Sequence, residues 1–433
     1  MPFEAAPGAT GKVAVIGAGI SGMGAAHMLA ADRHVTLFEA EPRLGGHART
    51  IMAGRRGDQP VDTGFIVFNY ANYPHMAELF ARLDVPVVKS NMSFGASLRG
   101  GAFEYGLANL RAVFAQPRNA ADPRFLRMLR DIFRFNANAL QLAQDRGLTL
   151  AQFLSRLGTG AWFRDHYLLP LSGAIWSTPA ERIMEFPAHA MIGFFENHAL
   201  LSHTGQHQWY TVQGGSVEYV RRLGAAMRAQ GVSLRLGCPV AGVRRTVRGV
   251  EVRAHGGEWE AFDEVVFATH SDDSLALLAD ATPDERTNLG AIAYQPNDIV
   301  LHSDTGVMPR RRAVWSSWNY TEAADKRSDR IDLTYWMNSL QPIPMDDPHF
   351  VTLNSTRPIR EELIYDQVTL RHPVYDLPAL AAQDRVRARS GAANTWFCGA
   401  WLGHGFHEDG LLSAVNVAHE IRWRDAAVGI AAQ

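Results

Sequence analysis

Lys12-Val13-Ala14-Val15-Ile16-Gly17-Ala18-Gly19-Ile20-Ser21-Gly22 is the stretch on which the fold turns. Lys12 to Ile16 is a short, apolar, β-branched run, the pattern of a strand buried on both faces in a parallel sheet. It passes directly into a GxGxxG turn. Met23 to Ala31 is rich in small residues and predicts a helix. His34-Val35-Thr36-Leu37-Phe38 predicts a second strand, which ends at Glu39 and Ala40. In this βαβ register Gly17 permits the tight turn, Gly19 lets the backbone approach a pyrophosphate, and Gly22 lets helix and strand pack closely. Ile20 and Ser21 open a helix whose N-terminus faces the phosphates. Glu39 lies 22 residues beyond Gly17. There it can hydrogen-bond ribose hydroxyls, and it would repel a 2′-phosphate, which argues against NADP. NAD and FAD both remain open on this reading.

Composition sets outer bounds. The chain has 433 residues, 47% of them hydrophobic and 20% charged, as in a globular protein and not a disordered one. A formal charge of −2 offers no basic field for nucleic acid. Two cysteines, Cys238 and Cys398, make no disulfide framework and no zinc constellation. The first ten residues lack the pattern of a secretory signal, and no stretch reaches the roughly 18 apolar residues of a membrane-spanning helix. The expected location is cytoplasmic, with membrane association left open.

The residues after Glu39 separate the two cofactors. Arg43-Leu44-Gly45-Gly46-His47 and then Val61-Asp62-Thr63-Gly64 resemble the flavin-containing amine oxidase superfamily, which includes phytoene desaturases and protoporphyrinogen oxidases. That family places a Gly-Gly pair here, against the FAD pyrophosphate. Phe262 to Thr269 resembles its strand returning to the cofactor domain. Gly237-Cys238-Pro239-Val240 resembles the turn beside the adenine, with Val240 in contact. Phe397-Cys398-Gly399-Ala400 and Asp409-Gly410-Leu411-Leu412-Ser413-Ala414 resemble the closing strand and helix over the ribityl chain and flavin ring. The resemblance implies FAD and an α/β fold. A Rossmann-like FAD-binding domain would be built from discontinuous segments, 1–75, 205–275 and 390–433. An α+β substrate domain would come from 76–204, helical from Leu107 to Leu157, and from 276–389, strand-rich from Ile299 to Asn338.

Only one dinucleotide fingerprint is present, so electrons are expected to leave toward oxygen or a quinone, not to arrive from a second nicotinamide unit. Amine-oxidising members of the family often keep a lysine near flavin N5. The matching stretch, Tyr294 to Leu301, has Asn297 or Asp298 there instead. This departure speaks against an ordinary amine oxidase. The aromatic runs Trp315 to Tyr320 and Thr334 to Asn338 read either as a packed sheet or as an apolar wall above the flavin, punctuated by Asn319 and Asn338. Together these features resemble the bacterial flavin proteins linked to modified fatty acids, as in furan fatty acid formation. That implies dehydrogenation of a fatty-acyl or other lipid substrate, with a flavin-dependent isomerase or a peroxide-producing amine oxidase as alternatives.

Three residues are candidates for the proton step: His404, His407 and Asp298. The segment Gly403 to Asp409 is read as a helix cap with a proton-transfer histidine, not as a metal site. Arg124 to Phe135 predicts an amphipathic helix. Its apolar half carries Phe125, Leu126, Met128, Leu129, Ile132, Phe133 and Phe135, and its polar half carries four arginines and Asp131. It is either a surface helix packed on the core or an interfacial helix in peripheral contact with anionic lipid.

Overall fold

The computed structural model describes residues 11–431 apart from 146, 177–182, 198–199, 202–206 and 325–331. The expected boundary between 204 and 205 lies outside the described residues.

Five parallel strands form one sheet in the order Ser233–Arg235, His34–Phe38, Lys12–Ile16, Glu264–Phe267, Thr395–Phe397. Neighbours in this sheet therefore come from three distant stretches of chain. The apolarity of its central strand follows from cover on both faces, because successive side chains alternate. Val13, Val15, Val35, Leu37 and Val266 pack on one side with the helices Ile20–Leu29, Val217–Ala229 and the C-terminal His407–Ala431. Ala14, Ile16, Phe38, Val265 and Phe267 pack on the other side, against an antiparallel meander over residues 240–262 and the helix Leu377–Arg389.

A seven-stranded sheet forms the second layer system. Its order is Ile364–Val374, Ala293–His302, Phe350–Leu353, Asp332–Trp336, Trp318–Thr321, Phe94–Leu98, Phe103–Gly106, antiparallel except where Trp318–Thr321 meets Phe94–Leu98. Two strands of the segment read as mainly helical thus complete this sheet. The strand-rich reading ends before Asn338, which lies in the short helix Met337–Leu340. Asn319 and Asn338 do not punctuate a cavity wall. Asn319 donates to the carbonyls of Ser316 and Thr334, and Asn338 to those of Pro344 and Asp347. Trp315 and Trp336 sit under the Arg312 guanidinium, 3.8 and 4.6 Å from their ring centres.

The amphipathic helix runs from Pro123 to Leu142, with the Asp122 carboxylate accepting from Arg124 N at its start. Phe125, Met128, Ile132 and Phe135 are buried, as the wheel requires. Leu126 and Phe133 are not: they are 46% and 58% exposed and share an outward stripe with Leu140 at heptad spacing. Asp131, grouped by the wheel with the arginines, is instead 1% exposed and accepts from Gly160 N at 2.9 Å.

Two polar links join the layers. Arg49 forks onto Asp366 of the large sheet with contacts of 2.5 and 3.0 Å. The Asp62 carboxylate, 1% exposed, accepts from Thr50 Oγ1, from Ser216 N and Oγ, and from Gln341 Nε2. Burial pushes its pKa up to about 6, although these bonds pull the other way.

Candidate active site

The glycines build a cradle. Gly17 turns at φ +100°, and a Cβ on Gly22 would overlap its carbonyl oxygen, so the helix Ile20–Leu29 lies tight on the first strand. At Gly19, which caps that helix, a Cβ would meet nothing within 4 Å. The Gly45-Gly46 turn closes over this opening: Gly45 N donates to Ala18 O at 2.8 Å, and a Cβ on Gly46 would come within 3.0 Å of Gly19 Cα. The third wall is the C-terminal helix, where Gly410 packs against Ser21 Oγ and Ile20, and Leu411 against Gly24. Ser413 Oγ ties this first turn to the preceding strand by accepting from Gly399 N at 2.8 Å and donating to Gly410 O. Two helix N-termini therefore face one opening, an arrangement suited to phosphate. At the cradle's far end Glu39 accepts from Ala18 N and Glu41 N, and keeps lone pairs for further donors. Gly237 N and Cys238 N donate to the carbonyls of Glu41 and Glu39, bringing the turn before half-buried Val240 alongside exposed Ala40.

Beyond Gly46 four imidazoles gather where the parallel sheet meets the large one. His47 lies 5.8 Å from the His270 ring and 5.7 Å from the His372 ring. His270 stacks on Tyr294 at 4.3 Å. His407 stacks on Phe65 at 4.1 Å, and its Nε2 is 2.9 Å from Tyr219 Oη. Burial lowers the pKa of all four. The values for His270, His372 and His407 fall to about 3, with His47 adding repulsion to each. At neutral pH the cluster carries no charge. His47 Nε2 and His270 Nδ1 are buried and lack a hydrogen-bond partner.

The three residues expected for proton transfer take different places. His407 opens the C-terminal helix, two residues before the expected start, and belongs to the cluster. His404 is exposed, with its backbone N–H on the Asp409 carboxylate. Asp409 also accepts from Phe406 N, so it caps its own helix by reaching back. Asp298 faces outward and accepts from Thr369 Oγ1, while its neighbour Asn297 is fully buried. Of the pair at the lysine position, Asn297 is the inward one. Leu411 is 4% exposed against Gly24, whereas Leu412 is 37% exposed. His270, Asp272 and Asp273 form a group with metal-ligand spacing, but Arg371 holds both carboxylates at 2.5 and 2.6 Å.

His270, His372 and Tyr219 were missed in the sequence. His270 comes directly after the recognised Phe262–Thr269 strand, and that adjacency is the signal that could have found it. His372 and Tyr219 carry no local signal.

The family model described as flavin containing amine oxidoreductase matches residues 20–301, well over half of the chain. The chain belongs to this family. No curated protein matches it. Among solved structures, a putrescine oxidase variant shares 16% identity at a TM-score of 0.69, covering 96% of this chain and 100% of its own. The CLA-producing fatty acid isomerase from P. acnes shares 16% at 0.65, covering 94% and 98%. Cyclohexylamine oxidase from Brevibacterium oxydans IH-35A shares 16% at 0.61, covering 95% and 99%. At such identities the likeness is one of fold. This flavin amine oxidoreductase is a FAD-dependent oxidoreductase, and its cradle fits the cofactor. The open volume at Gly19, the two helix N-termini and the unpartnered His47 Nε2 beside Gly46 are features that a bound dinucleotide would occupy.

Proposed function

We propose that this flavoprotein dehydrogenates an apolar substrate, by preference a fatty-acyl chain, and passes the electrons to oxygen or a quinone. One observation supports this reading: the ionisable groups of the seam beyond the cradle are either neutral or already held by partners. Its imidazoles are neutral, Asn297 replaces a lysine, and the carboxylates nearby are engaged. Asp272 and Asp273 bind Arg371, Glu408 accepts from the backbone and ring of His75, and Asp409 caps its helix. A cationic amine would have to compete with these partners for a carboxylate, whereas an apolar chain leaves none of them stranded. When bound, FAD supplies the two-electron acceptor. His407, neutral and held by Tyr219 and Phe65, is assigned the proton lost from the neighbouring carbon. His404 stands at the exposed rim, and Asp298 has no part in this assignment.

In the same reading, residues 1–75, 205–275 and 390–433 form the cofactor domain, and 76–204 with 276–389 the substrate domain. The outer face of the Pro123–Leu142 helix would rest on anionic lipid. Its stripe Leu126–Phe133–Leu140 runs beside Arg127, Arg130 and Arg134, all exposed. Among the described residues no helix is long and apolar enough to cross a membrane.

The test is anaerobic flavin absorbance on addition of a bacterial phospholipid extract, with a panel of amines in parallel. Bleaching by lipid alone is expected. Bleaching by amines alone would overturn the substrate class, and shifted double bonds without bleaching would point to an isomerase.

A further inference from the structure

The strand Ala293–His302 carries a chain of amides whose directions are fixed at both ends. Asp298 N, a backbone donor, points at Asn354 Oδ1 at 3.0 Å, so the other amide atom of Asn354 is its donor nitrogen. That nitrogen lies 2.7 Å from Asn297 Oδ1. Asn297 Nδ2 is therefore a donor too, and the carbonyl of Gln295, 3.2 Å away, receives one of its hydrogens. Its second hydrogen meets His372 Nδ1 at 2.9 Å. Each amide is thus oriented by a backbone group and not by choice of flip.

The consequence falls on His372. An Nδ1 that accepts carries no hydrogen, so the neutral ring bears its proton on Nε2. Protonating Nδ1 would set N–H against N–H, which opposes the imidazolium independently of burial. The edge with Nε2 lies across the ring from Asn297, and the ring is 5.7 Å from His47, the residue after Gly46 of the cradle.

We propose that His372 is a tautomer-locked positioning residue, a permanently neutral Nε2–H donor held by Asn354 and Asn297 at the redox site. It presents a hydrogen bond without a charge, where a lysine would present both. Such a donor favours negative charge developing on a nearby oxygen or ring nitrogen while leaving the seam hospitable to an apolar chain. The inference rests on reading the seam as the redox site, but not on the identity of the substrate.

The experiment uses holoenzyme labelled with 15N in histidine. Long-range 1H–15N spectra at pH 7 are expected to show His372 as the Nε2–H tautomer, assigned by the signal lost in His372→Gln. In Asn297→Asp, a near-isosteric change, the carboxylate accepts from Nδ1, and the signal is expected to move to an Nδ1–H or doubly protonated ring. The flavin midpoint potential, read by anaerobic dithionite titration, is expected to shift in that variant, upward where the ring is doubly protonated and downward where an Nδ1–H ring sits beside the new carboxylate. Gln at 372 places an amide N–H at the reach of Nε2 and is expected to keep the wild-type potential; His372→Leu is expected to lower it. An Nδ1–H tautomer or imidazolium in the wild type would overturn the lock. Equal potentials in His372→Leu, His372→Gln and wild type would reduce His372 to packing. Neither readout needs a substrate, so a failed lipid assay leaves this test intact.

Discussion

Gly19 and Gly22 stand three residues apart and do different work. At Gly19 an added methyl enters open volume, so Gly19→Ala is expected to fold normally and to lose FAD. The ratio of flavin to protein absorbance should fall severalfold, with the melting temperature of stripped protein unchanged. At Gly22 the methyl meets the Gly17 carbonyl, and Gly22→Ala is expected to cost about 1–3 kcal/mol even without cofactor. Asp62 makes a pH-dependent prediction. Its pKa in the folded chain, about 6, exceeds the ordinary 3.8, so folding is favoured as pH falls from above 6 toward 4. The shift corresponds to about 3 kcal/mol. Asn cannot titrate, so the stability of wild type relative to Asp62→Asn should be greater at pH 5 than at pH 7 in urea unfolding. At this scale the turns of the cradle were legible, because Gly17, Gly22, Gly45 and Gly46 each answer a demand of backbone geometry that shows as a letter in the sequence. Asp298 was not, since strand neighbours face opposite ways and an offset of one residue exchanges inside for outside.

The Pro123–Leu142 helix shows what an element adds to its residues. The wheel sorts apolar from charged, but the buried arc is narrower than the apolar arc, which leaves Leu126 and Phe133 outside. If that outer face rests on lipid, the double change Leu126→Glu and Leu140→Glu should abolish co-sedimentation with phosphatidylglycerol vesicles and shift stability by no more than about 0.5 kcal/mol. Asp131 belongs to the inner side. Its replacement by Ala leaves Gly160 N without an acceptor and is expected to cost about 1–3 kcal/mol in urea unfolding. The helix itself was legible from its period. The placement of Asp131 depends on a loop 29 residues away, which periodicity does not contain.

Across the whole molecule, Arg49 and Asp366 bridge cradle and large sheet with side chains 17% and 20% exposed. Arg49→Ala should remove about 2 kcal/mol of charge-assisted bonding and hasten FAD release on dilution. Long-range assembly was the least legible level. The imidazole cluster draws one ring each from residues 47, 270, 372 and 407, and only the first and last sit in recognisable motifs. The order of the parallel sheet also bears on synthesis. Lys12–Ile16 is flanked by His34–Phe38, made at once, and by Glu264–Phe267, while the outermost Thr395–Phe397 arrives near the end. At about 5–20 residues per second, a ribosome needs roughly 20–80 s to travel from Ile16 to Gly410. Throughout that interval Val13, Val15, Val35 and Leu37 lack the C-terminal helix that covers them, and the nascent chain must be shielded from self-association. If Gly410 closes the flavin site, flavin capture is a late event in biogenesis, and a chain terminated before Gly410 is expected to emerge colourless however well its opening motif is made.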